Sequence, residues 1–400
     1  MKRVITVIGT RPEAIKLIPL HLALKKAGFD AILCATFQHS ELLEQVFNLF
    51  QIKPDIQLNV MKQNQDLFYL TQIILEKIKI VYEEIKPDFV IVQGDTTTAF
   101  CAALGAFYAK IPIGHVEAGL RSGDIYAPFP EEANRKFIST IATYHFAPTE
   151  LNVTNLLSEK ISRDAIFCTG NTVVDALLWI KEQIIIEKLL IDQTITNLVR
   201  QCKKQDQKIV LLTAHRRESF DGGLTRIFKS IASFAQTHPD IFIIYPYHPN
   251  PNVIDAIKES GLHNLHNMHL CPPIAYKELV YLLMSAHWVI TDSGGIQEEA
   301  TSLGKKVIVL RDVTERTEAI FAGMAKLVGS NQKLLLETLQ EFYLKSIIQT
   351  IDVPNFVFGD GLASQKIVSI LQEKMGKQMY TRKHKTLVTK HKQDTKVLVT

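Results

Sequence analysis

The chain has 400 residues, 46% of them hydrophobic and 22% charged, with a formal net charge of +4, the composition of an ordinary soluble globular protein. Its length exceeds what one hydrophobic core fills and predicts two domains. No apolar run approaches the ~20 residues that span a bilayer, so neither a membrane segment nor a membrane partner is expected.

Short β-branched runs alternate with longer helical patterns almost throughout, which predicts parallel sheets with crossover helices. The first strand, Arg3–Ile8, meets Gly9, Thr10 and Arg11 at once, so it reads as a buried strand rather than a signal peptide. Thr10-Arg11-Pro12-Glu13 then opens a helix over Pro12–Lys26. A capping box with proline in the first turn accounts for Thr10, Pro12 and Glu13. It leaves Arg11 unexplained, with Lys16 one turn on. Two cations at a helix N-terminus oppose the helix dipole and suit a phosphate.

Strands at Ala31–Ala35 and Phe89–Gln93 follow, with a helix at Leu67–Ile85 between them. Gly94-Asp95-Thr96 closes the second of these strands and either caps the next helix, Thr97–Ala109, or turns Asp95 toward a ligand. Strand Ile113–Val116 ends on Glu117, where an unpaired carboxylate is costly. Pro128-Phe129-Pro130-Glu131-Glu132 starts a helix over Glu131–Ala142, and its glutamates serve either the dipole or the same cleft. Jointly, Asp95, Glu117 and Glu131 are the supply of carboxylates that removing and returning a proton needs. Strands Tyr144–Ala147 and Ala165–Cys168 complete the first set. Gly170-Asn171-Thr172 reads as a linker into a long helical and polar region reaching about Asp206.

The second set has strands at Lys208–Thr213, Ile241–Tyr245, Met268–Cys271, Trp288–Thr291 and Lys306–Leu310, separated by helices at Leu224–Gln236, Tyr276–Ser285 and Ile296–Leu303. His215-Arg216-Arg217-Glu218 follows its first strand and is either a surface basic patch or a diphosphate clamp, for which permanently charged, bidentate guanidiniums are suited. His248-Pro249-Asn250 follows the second. Asp292-Ser293-Gly294-Gly295 follows Trp288–Thr291; glycines that open a helix there form an anion cradle of backbone N–H groups. Glu298 and Glu299 would accept hydrogen bonds from ribose hydroxyls. A last helix, 361–376, is expected to pack back on the first domain, which gives domains of 1–170 and 171–360. The stretch from Glu373 onward carries eight lysine and arginine residues against Glu373 and Asp394. Residues 377–400 are read as a solvated, disordered basic tail, with no nucleic acid as partner.

The polar clusters do not scatter: each begins where a strand ends. Open parallel sheets bind ligands at the carboxyl ends of their strands, so two such sheets placed face to face would surround one ligand. The expected fold class is α/β, two doubly wound Rossmann-like domains facing a cleft. Five cysteines, Cys34, Cys101, Cys168, Cys202 and Cys271, include no CxxC pair, which predicts reduced, mostly buried thiols and a cytoplasmic location. There is no GxGxxG after the first strand, no GxxxxGK[ST], no HExxH and no GxSxG. No nicotinamide cofactor, P-loop nucleotide or metal is therefore expected.

Together these residues resemble the non-hydrolysing bacterial UDP-N-acetylglucosamine 2-epimerases. The resemblance runs from Gly9-Thr-Arg-Pro-Glu13 to Gly359-Asp-Gly361, and its most specific pieces are Gly114-His-Val-Glu-Ala-Gly-Leu-Arg121, Pro128-Phe-Pro-Glu-Glu132, His248-Pro-Asn-Pro-Asn252 and Asp292-Ser-Gly-Gly-Ile-Gln-Glu-Glu299, with Thr314-Glu-Arg316 beside them. It implies a fold like that of the GT-B glycosyltransferases and glycogen phosphorylase, a homodimer, and cofactor-free interconversion of UDP-GlcNAc and UDP-N-acetylmannosamine for surface polysaccharides. The family's catalytic group maps onto Asp95, Glu117, Glu131 and His215. Its substrate-binding residues map onto Arg11, Lys16, Ser293, Gly294, Gly295, Glu299 and Arg316. A second, regulatory nucleotide-sugar site would involve Gln38 and His248, although Ser40 and Gln72 depart from its pattern. Ala214, Ile274 and Thr317 are further departures. The implied chemistry is loss of UDP from carbon 1, removal of the carbon 2 proton to give 2-acetamidoglucal, and re-addition after protonation of the other face. The rival expectations are a hydrolysing epimerase that releases N-acetylmannosamine and UDP, a GT-B glycosyltransferase, and a sensor that binds without turnover.

Overall fold

The computed structural model describes residues 1–37, 40–62, 65–216, 220–347 and 355–376. Its strands are β1 (Arg3–Ile8), β2 (Asp30–Ala35), β3 (Ile56–Gln57), β4 (Phe89–Gln93), β5 (Ile113–Val116), β6 (Tyr144–Ala147), β7 (Ile166–Cys168), β8 (Lys208–Thr213), β9 (Ile241–Pro246), β10 (Met268–Cys271), β11 (Trp288–Thr291), β12 (Lys306–Val309) and β13 (Ala325–Leu327). The first seven form one parallel sheet in the order β3-β2-β1-β4-β5-β6-β7. The other six form a second, in the order β10-β9-β8-β11-β12-β13. Helices on both faces make two Rossmann-like domains, as the alternating pattern predicts. Covering both faces leaves the strand interiors dry, so β1, β4, β8 and β11 are near-continuous Val, Ile and Leu runs with Val4, Ile5, Val90, Leu211, Leu212 and Val289 at 0% to 1% exposure.

Two switch points matter for function. In the first sheet the strand order reverses between β1 and β4, and in the second between β8 and β11. Crossover helices on opposite faces diverge there and leave a crevice at the carboxyl ends of the strands.

The domains share part of their core. Helix Thr172–Ile185 is N-capped by the Asn171 side chain and packs Val173, Val174, Leu177 and Ile180 into a cluster that includes residues of both sheets. The chain crosses between domains twice, and the two passes touch: Asn171 N donates to Phe358 O at 2.7 Å. Gly170 and Gly359, at φ +88 and +120, sit where a side chain would strike the opposite backbone at about 3 Å. The final helix, 363–376, begins on Asp175, whose carboxylate accepts from Ala363 N at 3.2 Å and Ser364 N at 2.7 Å. It ends with the Lys374 ammonium 5.3 Å from the Phe167 ring of β7.

The differences from the sequence reading are local. Strands β3 and β13 have two and three residues, too short to leave a periodicity. Helices at Ser40–Leu49, Glu150–Ser158, Pro251–Ser260 and Gln332–Ile347 also emerge. Ala165 belongs to a 3₁₀ turn ahead of β7. Cys168 is exposed and Cys271 half-buried, against the expected burial, while Cys34, Cys101 and Cys202 are buried. Residues 377–400, which hold the basic tail, lie outside the described residues, as do Gln38, Arg217 and Glu218.

Candidate active site

At the first switch point, β1 runs into Thr10 and helix Arg11–Lys26. Glu13 closes the predicted capping box and also grips the neighbouring loop: its carboxylate accepts from Thr10 N at 2.6 Å, Gly9 N at 3.0 Å and Thr96 Oγ1 at 2.7 Å. Thr96 rather than Asp95 caps helix Thr97–Tyr108, accepting from Ala99 N at 3.0 Å. Gly94, at φ +69, turns the chain out of β4 so that Asp95 faces the crevice. Asp95 Oδ2 takes a 2.8 Å hydrogen bond from Arg135 Nε, and its carbonyl takes another from Asn134 Nδ2.

Glu117 follows β5 in a left-handed conformation, φ +63, that costs a non-glycine residue of the order of 1 kcal/mol. Its carboxylate is buried and accepts from Lys16 Nζ, Gln93 Nε2 and Arg316 Nη2. Burial pushes this carboxyl up, but Lys16 and Arg316 outweigh burial and hold it below its ordinary value. Glu131, in the first turn of helix Glu131–Ile141, has a buried Oε2 with no hydrogen-bond partner among the described residues. Such an oxygen is costly unless a ligand or proton meets it.

The facing crevice starts at Asp292, after β11. Its Oδ2 accepts from His215 N at 2.6 Å and Arg216 N at 2.7 Å, which fixes the loop after β8. The His215 imidazole lies 3.6 Å from Asp292 Oδ1 and stacks on His248 at 5.7 Å. Ser293 begins helix Gly294–Ser302 without a side-chain cap, so the first amides of that helix face the crevice as an anion cradle. A Cβ on Gly294 would lie 2.9 Å from the Arg316 guanidinium carbon, so only glycine lets that guanidinium pack against the cradle. Glu299 accepts from Tyr276 Oη at 2.5 Å, and burial pushes its carboxyl up to about 7 despite that bond.

The two crevices form one cleft of about 530 Å³, lined by residues of both domains, a size that takes a drug-sized ligand. All eleven residues expected to act in catalysis or substrate binding line it: Asp95, Glu117, Glu131, His215, Arg11, Lys16, Ser293, Gly294, Gly295, Glu299 and Arg316. Arg11 makes no side-chain hydrogen bond or ion pair with the described residues, and burial lowers its pKa, against the attraction of Glu299. Arg316 is not free: Glu117, Glu298 and Glu315 hold it at 3.3, 2.9 and 3.3 Å. Burial lowers its pKa, but those three carboxylates raise it further. His248 reaches the cleft only through its stack on His215, and Gln38 lies outside the described residues.

One expectation is corrected. Glu298 does not face the cleft; it is 1% exposed and spends both oxygens on protein, Oε1 on Arg316 and Oε2 on Asn171 Nδ2 at 2.6 Å. Adjacent residues on a helix point about 100° apart, so Glu298 and Glu299 could not both reach one ribose. The sequence reading also missed Gln93, Arg135 and Tyr276, which line the cleft. Arg135 had a signal: it lies four residues after Glu131, on the same helix face. Tyr276 had none beyond standing at a helix start.

A family description of UDP-N-acetylglucosamine 2-epimerase matches residues 22–372. A probable UDP-N-acetylglucosamine 2-epimerase of Ralstonia nicotianae is 46% identical over 374 residues, covering 93% of this chain and 99% of the relative. The crystal structure of UDP-GlcNAc 2-epimerase from Neisseria meningitidis bound to UDP-GlcNAc superposes with a TM-score of 0.84 at 46% identity, over 93% of this chain and 100% of the other. That of Methanocaldococcus jannaschii UDP-GlcNAc 2-epimerase, in complex with UDP-GlcNAc and UDP, does so with a TM-score of 0.77 at 35% identity, over 93% and 100%.

Proposed function

The chain belongs to the UDP-N-acetylglucosamine 2-epimerase family, and from that premise we propose that it interconverts UDP-GlcNAc and UDP-N-acetylmannosamine without hydrolysis. The observation that carries this reading is the single cleft in which Arg11 and an uncapped helix N-terminus stand near Asp95, Glu117 and Glu131. UDP-GlcNAc bound in the Neisseria structure and UDP in the Methanocaldococcus structure suit the same reading.

The proton on carbon 2 is not adjacent to a carbonyl and is weakly acidic, so direct abstraction is slow. In this mechanism the carbon 1–oxygen bond breaks first and its electron pair leaves with UDP. The oxocarbenium-like sugar then loses its carbon 2 proton to a carboxylate, giving 2-acetamidoglucal. A proton delivered to the opposite face of carbon 2 and return of UDP to carbon 1 complete the epimer. Arg11, His215 and the Ser293–Gly295 amides stabilise the diphosphate as charge gathers on it, a role often worth several kcal/mol. Asp95 and Glu131 are the proton carriers best placed: neither carboxylate is locked by two cations, as Glu117 is. Glu117 instead sets the positions of Lys16 and Arg316. The contacts between domains keep out the water that would intercept the intermediate.

The protein works in this reading in the cytoplasm, for polysaccharide synthesis, and as a homodimer. No described helix is long and apolar enough to cross a membrane. Phe107, Tyr108 and Phe137 are exposed on the packed helices Thr97–Tyr108 and Glu131–Ile141, a face suited to a second copy. A monomer mass by light scattering would remove the dimer.

Incubation of UDP-GlcNAc in deuterated water tests the reaction. The expected product is UDP-N-acetylmannosamine labelled at carbon 2, with Asp95→Asn losing the label while binding UDP nearly as well as the wild type. Free N-acetylmannosamine with stoichiometric UDP would mean hydrolysis instead. Unchanged labelling in the Asn variant would take Asp95 out of the proton work.

A further inference from the structure

Arg135 is buried against the cleft and the mechanism above gives it nothing to do. We propose that Arg135 is a positioning residue that holds Asp95 in the orientation proton transfer needs and ties that orientation to the approach of the second domain. The inference rests on the reading of Asp95 as a proton carrier.

Three carboxylates from three segments meet one guanidinium. Arg135 Nε donates to Asp95 Oδ2 at 2.8 Å, Nη1 to Glu132 Oε2 at 2.6 Å, and Nη2 lies 3.9 Å from Glu315 Oε1. The Arg135 side chain is 5% exposed, whereas that of Asp95 is 25% exposed toward the cleft. Glu132, fully buried, is itself fixed by Ser122 N at 3.1 Å. Asn134, the preceding residue, holds the Asp95 carbonyl. Successive residues of one helix thus clamp both the backbone and the side chain of Asp95, and leave its other oxygen for the substrate.

Glu315 comes from the second domain. Arg311 and Arg316 hold it at 3.0 and 3.3 Å. When the domains part, Arg135 loses this third partner and Asp95 loses the outer limit on where its clamp can swing. A planar fork with directed N–H groups can serve three acceptors in fixed directions; an ammonium on a flexible stem cannot hold the same geometry. A displacement near 1 Å in a reacting group costs on the order of 100-fold in rate.

Arg135→Gln and Arg135→Lys, in the full chain, separate positioning from general support. The readouts are carbon 2 deuterium labelling, kcat and KM for UDP-GlcNAc, and UDP affinity by calorimetry. Arg135→Gln is expected to lower kcat and labelling together by about 100-fold while KM and UDP affinity stay within about threefold. Arg135→Lys, which keeps the charge but not the fork, is expected to recover roughly tenfold over Gln. Unchanged kcat in the Gln variant, UDP affinity falling in step with kcat, or Lys no better than Gln would each overturn the inference. Wild-type protein that fails to label the sugar would bring down the reading of the whole site and this inference with it.

Discussion

Two buried glutamates in the cleft have opposite titration for a reason visible in their neighbours. Glu117 is held down because Lys16 and Arg316 face it across short distances. Glu299 has a phenol as its one hydrogen-bond partner among the described residues, and that bond with the attraction of Lys16 and Arg11 does not offset burial and the neighbouring Glu298, so its carboxyl rises to about 7. The folded state therefore favours the protonated Glu299, where the unfolded chain titrates near the ordinary 4.5. Its contribution is fully present below about pH 4.5 and is lost as pH rises through 7. Glu299→Gln, neutral throughout, keeps that contribution. Urea unfolding of both proteins from pH 5 to 8 is expected to show the wild type losing on the order of 3 kcal/mol relative to the Gln variant. Glu13, also pushed up to about 7 by burial, is present in both proteins and cancels. A pH-independent difference would mean that Glu299 is ionised throughout.

Helix starts rather than helix bodies carry this site, which is why so much of it was legible in the sequence. Strand tips and caps leave strong local marks: the Thr10–Glu13 box, glycines at 94, 294 and 295, and Asp292 after a β-branched run. Arg135 lies in the body of an amphipathic helix, where only its spacing from Glu131 marks it, and Tyr276 opens its helix with no pattern that separates a cleft residue from a core one. Glu298 was misassigned for the same reason, since its partners Asn171 and Arg316 are distant in sequence. The last helix depends on a distant cap too. Asp175, in the first turn of helix Thr172–Ile185, supplies the acceptor for the N-terminus of helix 363–376. Asp175→Ala is expected to cost about 1 kcal/mol, and Asp175→Asn about half of that because an oxygen acceptor remains. Denaturant midpoints measured at constant slope check this; equal costs for the two variants would point to packing instead of capping.

At the scale of the whole molecule, the domains meet through polar contacts as well as the shared core, and the polar contacts carry a consequence for ligand binding. Arg316 reaches Glu117, Arg135 reaches Glu315, Asn171 reaches Glu298, and Thr149 Oγ1 donates to Glu318 Oε1 at 2.5 Å. The first two join cleft residues, and Glu298 of the third holds the cleft residue Arg316, so altering any of them touches the chemistry as well as closure. Thr149 is outside the cleft lining and isolates closure. In Thr149→Val the hydroxyl goes but the shape stays, and Glu318, whose Oε2 is buried without a partner among the described residues, loses its donor. Opening the domains then returns Glu318 to water, while closing leaves it buried and unsatisfied, a penalty of about 1–3 kcal/mol on the closed state alone. A ligand gripped by both domains needs that state, and its apparent affinity falls with the closed population. UDP affinity measured by calorimetry is therefore expected to weaken by up to about tenfold, although Thr149 does not line the cleft, and the radius of gyration of the free protein in solution scattering should rise. Because Thr149 also caps helix Glu150–Ser158, thermal stability drops in any case. If stability alone falls, with UDP affinity and radius of gyration unchanged, the contact supports the first domain and does not hold the cleft shut.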